Sequence, residues 1–270
     1  MQMKDGGIGT ALMPFLNHWP VCDLLNAFAP KHVLDMHRAF KSAGARILTS
    51  NTFLCDPDSL KSTDFANSYQ ELSRLGAELA RQVAGEDCLV AGSLGPGWRS
   101  PQRGEISKAA LSERYYTRAL GLLQGGVDLL WIETVYDPLQ AEAAVHGCLQ
   151  AMTELNTRAK LAVLASQTAQ QNSASLLPLL QELNQLPVDI LGLNCSLGPA
   201  SMPKGLAWLK SHCDKDIACC PNAGEPDAYL NPQAFAQALI ELLQAYDLQI
   251  VGGCCGVSPE HIQALWVSQS

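Results

Sequence analysis

The sequence predicts an α/β protein built as a single (β/α)8 TIM barrel over residues 1–270, and three observations carry that prediction. Short β-branched or Leu-rich runs alternate with longer segments whose apolar residues recur every three or four positions, the mark of strands alternating with helices. Runs such as VDLLWIE and VDILGLN are apolar nearly throughout, as strands of a parallel sheet covered on both faces are. Eight such units fit a barrel of ~250 residues, and no linker, low-complexity tract or short-period repeat interrupts them.

In chain order, strands are expected over residues 1–4, 45–50, 88–93, 127–133, 160–166, 188–194, 217–221 and 248–253. Helices are expected over 30–43, 64–84, 108–124, 138–155, 203–213, 232–246 and 259–267. Several of these open on a Pro or an Asp/Ser cap, which suits a helix N-terminus because Pro lacks only a donor that would be unpaired there and the cap oxygen accepts another. The first strand is short: four residues precede Asp5, against ~5–6 in a usual strand.

Composition excludes several classes of function. With 18 Lys and Arg against 26 Asp and Glu, the formal charge is -8. Nucleic acid needs a basic footprint to displace condensed counterions, and an anionic membrane surface would repel the chain too. The N-terminus lacks the apolar run of a signal peptide, and no stretch reaches the ~18–20 uninterrupted apolar residues of a membrane span. A cytoplasmic location is therefore expected. There the ten cysteines are thiols or metal ligands rather than a disulfide framework, because cytosolic reductants keep thiols reduced.

In such barrels the reactive groups lie where strands end and βα loops begin. Those ends carry Asp5, Asn51 with Thr52, Ser93, Glu133 with Thr134, Ser166, Asn194 with Cys195, Asn222, and Cys254 with Cys255. Strand-terminal polar residues often only cap loops, which accounts poorly for three cysteines among them. Cys254 and Cys255 stand in GGCCG; adjacent cysteines rarely pair, since a disulfide wants Cα atoms ~4.4–6.8 Å apart and neighbours lie ~3.8 Å apart. Two thiolates held together repel unless a cation neutralises them. Zinc would do so, and with Cys195 as a third ligand it would keep an open fourth position, the sign of a catalytic site. Spacing alone leaves this open against buried free thiols. Cys219 and Cys220 are read as packing, since strand alternation turns them to opposite faces, although Cys220 lies near enough to the strand end to compete as a ligand. Glu133 suits either a substrate ammonium or a salt bridge inside the barrel. DGGIGT lacks the order of a phosphate-binding loop and reads as a tight turn that presents Asp5.

Taken in order, DGGIGTAL, ILTSNTF, GSLGP, IETVYD, GLNCSLGP, PNAG and VGGCCG resemble the homocysteine S-methyltransferase family. PNAG after GLNCSLGP is most similar to the homocysteine-binding domain of cobalamin-dependent methionine synthase. The resemblance runs from Asp5 to about Leu265. It implies zinc bound by Cys195, Cys254 and Cys255, with homocysteine sulfur at the open position. It implies that Asp5 and Glu133 face the amino-acid end of homocysteine, that Asn51 and Thr52 of the NTF motif face the site, and that Asn222 fills the metal shell before substrate arrives. The segment SQTAQQNSASLL is shorter than its counterpart and lacks a GRTLSG-like stretch, and these 270 residues contain neither a DxHxxG cobalamin motif nor a second barrel for folate, so no methyl donor is expected within them.

Three readings follow. One is methylation of homocysteine to methionine from a small sulfonium donor, S-methylmethionine or S-adenosylmethionine. Another is a homocysteine-activating subunit whose methylcobalamin rides on a separate corrinoid protein, a docking for which short loops at 97–105 and 168–175 would leave the mouth open. The last is a zinc- or thiol-binding protein without turnover.

Overall fold

The computed structural model describes residues 1–167 and 175–268. Eight parallel strands form one sheet: β1 (Gln2–Met3), β2 (Ile47–Thr49), β3 (Leu89–Leu94), β4 (Leu129–Val135), β5 (Lys160–Ala165), β6 (Ile190–Cys195), β7 (Asp216–Pro221) and β8 (Ile250–Val251). Each pairs with its neighbour in sequence, and β1 pairs with β8. Lys4 bridges to Ile47, which joins β1 to β2 and closes the barrel. Among the described residues, eight helices of eight residues or more follow the strands: α1 (Pro30–Ser42), α2 (Tyr69–Ala84), α3 (Lys108–Gln124), α4 (Pro138–Glu154), α5 (Leu176–Leu183), α6 (Pro203–His212), α7 (Pro232–Ala245) and α8 (Pro259–Val267).

Local chemistry explains the helix starts. The side chains of Ser107, Asp137 and Asn231 accept from backbone N–H groups of the first turn in α3, α4 and α7, satisfying donors a helix leaves unpaired. Ser258 and His261 bond reciprocally at the start of α8. The expected α2 begins five residues late, at Tyr69, because Thr63 Oγ1 accepts from Phe65 N (3.2 Å) and holds the preceding residues in turns. Sequence patterning names no helix between β5 and β6. There α5 is only eight residues long, with Pro178 in its first turn, where proline is tolerated but breaks up the pattern.

Strand alternation divides the core in two. Ile47, Ala91, Trp131, Leu164, Ala218, Cys220 and Ile250 fill the barrel interior, while Val90, Leu130, Val163, Leu191 and Cys219 face the helix ring. Cys219 and Cys220 thus do part to opposite faces. The end strands β1 and β8 are two residues each, yet backbone bonding continues past β8. Gly252 N donates to Cys219 O (3.2 Å), Gly253 N to Asp5 O (2.9 Å) and Cys254 N to Pro221 O (2.8 Å). The loop that carries the paired cysteines is therefore tied to both neighbouring strands.

Candidate active site

Three cysteines meet at the C-terminal mouth of the barrel. The Sγ atoms of Cys195, Cys254 and Cys255 lie within 4.8 Å of one another, although Cys195 and Cys254 are 59 residues apart. The Cys195 and Cys254 sulfurs are 2.7 Å apart, and all three thiols are free. Zinc takes thiolate sulfur at ~2.3 Å in tetrahedral sites, which sets ligand sulfurs about 3.8 Å apart, so three thiols gathered this closely are a donor set of the right chemistry for the metal. Hydrogen bonds from Cys195 and Cys254 favour Cys255 as the thiolate and pull its pKa well down. Its hydrogen bonds to Cys195 and Cys255, with burial, push Cys254 well up.

Strained backbone delivers these groups. Cys195 (φ 53°), Ser196 (φ 62°) and Thr134 (φ 62°) occupy the left-handed region, which is costly for a β-branched residue and persists only where surroundings enforce it. At Thr134 the enforcement is visible: a register shift between Ile132 and Val135 marks a bulge in β4, and Thr134 N donates to Asn194 Oδ1 (2.9 Å). Asn194 Nδ2 donates in turn to Thr134 Oγ1 (3.1 Å) and Glu133 Oε2 (3.3 Å). Two glycines are dictated by close approach. A Cβ on Gly256 (φ 77°) would meet the Tyr229 ring at 2.6 Å, and one on Gly7 would meet Cys254 O at 2.6 Å.

A cavity of about 180 Å³ opens beside the sulfurs, lined among others by Lys4, Thr49, Asn51, Thr52, Ser93, Glu133, Cys195, Cys254 and Cys255. It is smaller than the ~300–1,000 Å³ of drug-sized pockets and so suits a small metabolite. Glu133 is buried, and Ser93 Oγ donates to its Oε1 (2.5 Å). Burial raises its pKa, against the pull of Lys4 and the Ser93 bond. Asn51 Nδ2 donates to Cys22 O (2.8 Å) and Asn26 Oδ1 (3.0 Å), and Thr52 Oγ1 to Ser93 O (2.8 Å). Both therefore line the cavity as parts of its wall.

Asp5 and Asn222 sit differently. The Asp5 carboxylate is fully buried and accepts from Thr49 N (2.6 Å), Thr49 Oγ1 (2.7 Å) and Lys4 Nζ (2.9 Å). It is not among the cavity-lining residues. Asn222 links the two cysteine loops: its Nδ2 donates to Ser196 O (2.7 Å) and its Oδ1 accepts from Cys255 N (3.0 Å). Cys220 stays inside the barrel beside Trp131 and Ala218, and burial pushes its thiol up to about 12. Among the described residues it does not join the sulfur cluster. The loop at 168–174 lies outside the described residues.

Sequence reasoning passes over Lys4, Cys22 and Asp23, all of which line the cavity. Lys4 carried a signal, since alternation with an outward Met3 turns it into the barrel; Cys22 and Asp23 lie in a loop and carried none. Asp23 is buried, accepts from Leu54 N (2.8 Å), and is pushed up to about 6 by burial, against bonds from Cys55 and Leu54. Arg118, also buried, donates to the carbonyls of Gly95 (3.0 Å), Thr52 (3.3 Å) and Phe53 (3.0 Å) and so pins the loops after β2 and β3.

Comparison with known proteins agrees with this geometry. The sequence model of the homocysteine S-methyltransferase family matches residues 2–267. Methionine synthases of Mycobacterium leprae and Mycobacterium tuberculosis are 35% and 36% identical over 97% of this chain, which spans about a quarter (24%) of their length. The metallated form of the Escherichia coli homocysteine methyltransferase MmuM superposes with a TM-score of 0.76 at 23% identity, covering 99% of this chain and 96% of that one, a likeness of fold. The match over nearly the whole chain places it: this protein belongs to the homocysteine S-methyltransferase family.

Proposed function

We propose that this chain transfers a methyl group to the sulfur of homocysteine, giving methionine, with a zinc ion held by Cys195, Cys254 and Cys255. The observation that carries the reading is the convergence of three cysteine sulfurs within 4.8 Å beside a cavity that also holds a buried carboxylate. Three cysteine ligands leave one position for the substrate sulfur. Zinc, when bound, stabilises a coordinated sulfur as the thiolate, where a free thiol with a pKa of ~8.5 is mostly protonated near neutrality.

The chain's own groups do the rest. Glu133 faces the cavity with its carboxylate steadied by Ser93 and Asn194 and receives the substrate ammonium. Asn222 holds the Cys195 and Cys255 loops in fixed relation. The walls at Asn51 and Thr52 fix the substrate's orientation, converting part of the activation entropy into binding. The thiolate attacks the methyl carbon of a small sulfonium donor, S-methylmethionine or S-adenosylmethionine. The new S–CH3 bond forms as the donor's bond breaks, its electron pair neutralises the sulfonium, and no general base is required. Free thiols at the site need a reducing compartment, in keeping with the cytoplasm.

A second reading has the methyl group delivered from methylcobalamin on a separate corrinoid protein. The exposed apolar side chains of Met13 (61%), Trp98 (64%), Leu197 (43%) and Tyr229 (42%) favour it. All four lie in segments that follow strands β1, β3, β6 and β7, at the end of the barrel where a docking partner would reach the site. Purified zinc-loaded protein, given homocysteine with S-methylmethionine, S-adenosylmethionine or a methylcobalamin protein, tests both. Methionine formed from a sulfonium supports the first, and methionine formed only with the corrinoid protein supports the second. Homocysteine binding with no turnover from any donor would leave a non-catalytic thiol-binding protein.

A further inference from the structure

We propose that the Lys4 ammonium receives the α-carboxylate of the amino-acid substrate, making Lys4 and Glu133 the two poles of a clamp for a zwitterion. The inference rests on the homocysteine reading above and adds a residue that sets specificity for it. The Lys4 side chain is 3% exposed, yet it lines the cavity together with Ser93 and Glu133. Among the described residues its Nζ makes one hydrogen bond, to Asp5 Oδ1 at 2.9 Å, whereas an ammonium carries three donors.

Asp5 is held in place by its other bonds. Thr49 bonds both of its oxygens, so it acts as a fixed anchor that aims the lysine. Burial opposes the Lys4 charge, but the neighbouring Asp5 and Glu133 carboxylates outweigh it and keep the group protonated. The ion pair is not needed to hold β1, whose backbone already bonds to Gln249, Val251 and Ile47. A buried pair of this kind is often replaceable by apolar side chains without loss of stability. A buried cation with unused donors, in one small cavity with a buried carboxylate, is instead complementary to a ligand bearing both charges.

The test compares homocysteine with 3-aminopropanethiol, which is homocysteine without its carboxylate, by calorimetry on zinc-loaded wild type, Lys4→Met and Lys4→Arg. Wild type should bind homocysteine about 10- to 150-fold more tightly than the aminothiol, the worth of a charged hydrogen bond. Lys4→Met should lose most of that preference while binding the aminothiol within about twofold of wild type or better, and Lys4→Arg should regain part of it. Equal weakening of both thiols in Lys4→Met, or unchanged homocysteine binding, overturns the proposal. Should Lys4→Met fail to fold, wild type that binds the two thiols equally overturns it alone. Wild type that binds neither thiol overturns the homocysteine reading itself, and this proposal falls with it.

Discussion

Replacing Glu133 by glutamine isolates the charge assigned to the substrate ammonium. The side chain keeps its shape, and Ser93 Oγ can still donate to the amide oxygen as it does to the carboxylate at 2.5 Å. The other oxygen becomes an NH2 group facing Asn194 Nδ2, now 3.3 Å from Oε2, so one weak bond turns into donor against donor. That costs about 1 kcal/mol of stability. The larger effect is on substrate: an ammonium–carboxylate hydrogen bond is worth roughly 1.5–3 kcal/mol, or ~10- to 150-fold in Kd. Zinc affinity should change little, since Glu133 is not one of the three clustered sulfurs. Calorimetry of homocysteine against zinc-loaded protein, beside chelator competition for zinc, measures the two separately. Because burial raises the Glu133 pKa, the advantage of wild type over the variant should shrink as pH falls through that raised value and the carboxylate is protonated. A variant that loses zinc but binds homocysteine normally once zinc is restored would refute the assignment.

Other perturbations probe the metal site and the buried charges. Cys254→Ser with Cys255→Ser should abolish stoichiometric zinc, measured by metal analysis; full occupancy in the double variant would sink the ligand set. Asn222→Ala removes the link between Ser196 O and Cys255 N and should weaken zinc by ~10- to 100-fold, as loss of groups that orient metal ligands does, and unchanged chelator competition would contradict it. Asp23→Asn should stabilise the protein increasingly as pH rises. A folded pKa of about 6 against 3.8 unfolded means the native state holds a proton the unfolded state has lost, so wild type loses up to ~3 kcal/mol between pH 4 and 7. The variant avoids that loss, and denaturation curves whose difference from wild type is flat with pH would count against a buried, raised Asp23.

Much of this molecule is local chemistry written along the chain. The apolar strands, the caps at Ser107, Asp137 and Asn231, and the bounds of α3 and α8 follow from periodicity and turn residues, because hydrogen bonding and side-chain direction repeat over a few residues. Motif chemistry raises Cys195, Cys254 and Cys255 as candidates without deciding between ligands and buried thiols, and it is the family resemblance that implies the set. Strand pairing decides their meeting: β6, β7 and β8 must lie side by side in register to bring sulfurs 59 residues apart into contact. The β1–β2 seam sets the Asp5 carboxylate against Thr49 and buries it, and the pairing of β6, β7 and β8 makes Asn222 a bracket between two loops. These roles depend on which partner stands opposite across the barrel, and that pairing is a property of the closed sheet, with no counterpart in the residues that flank each position in the chain.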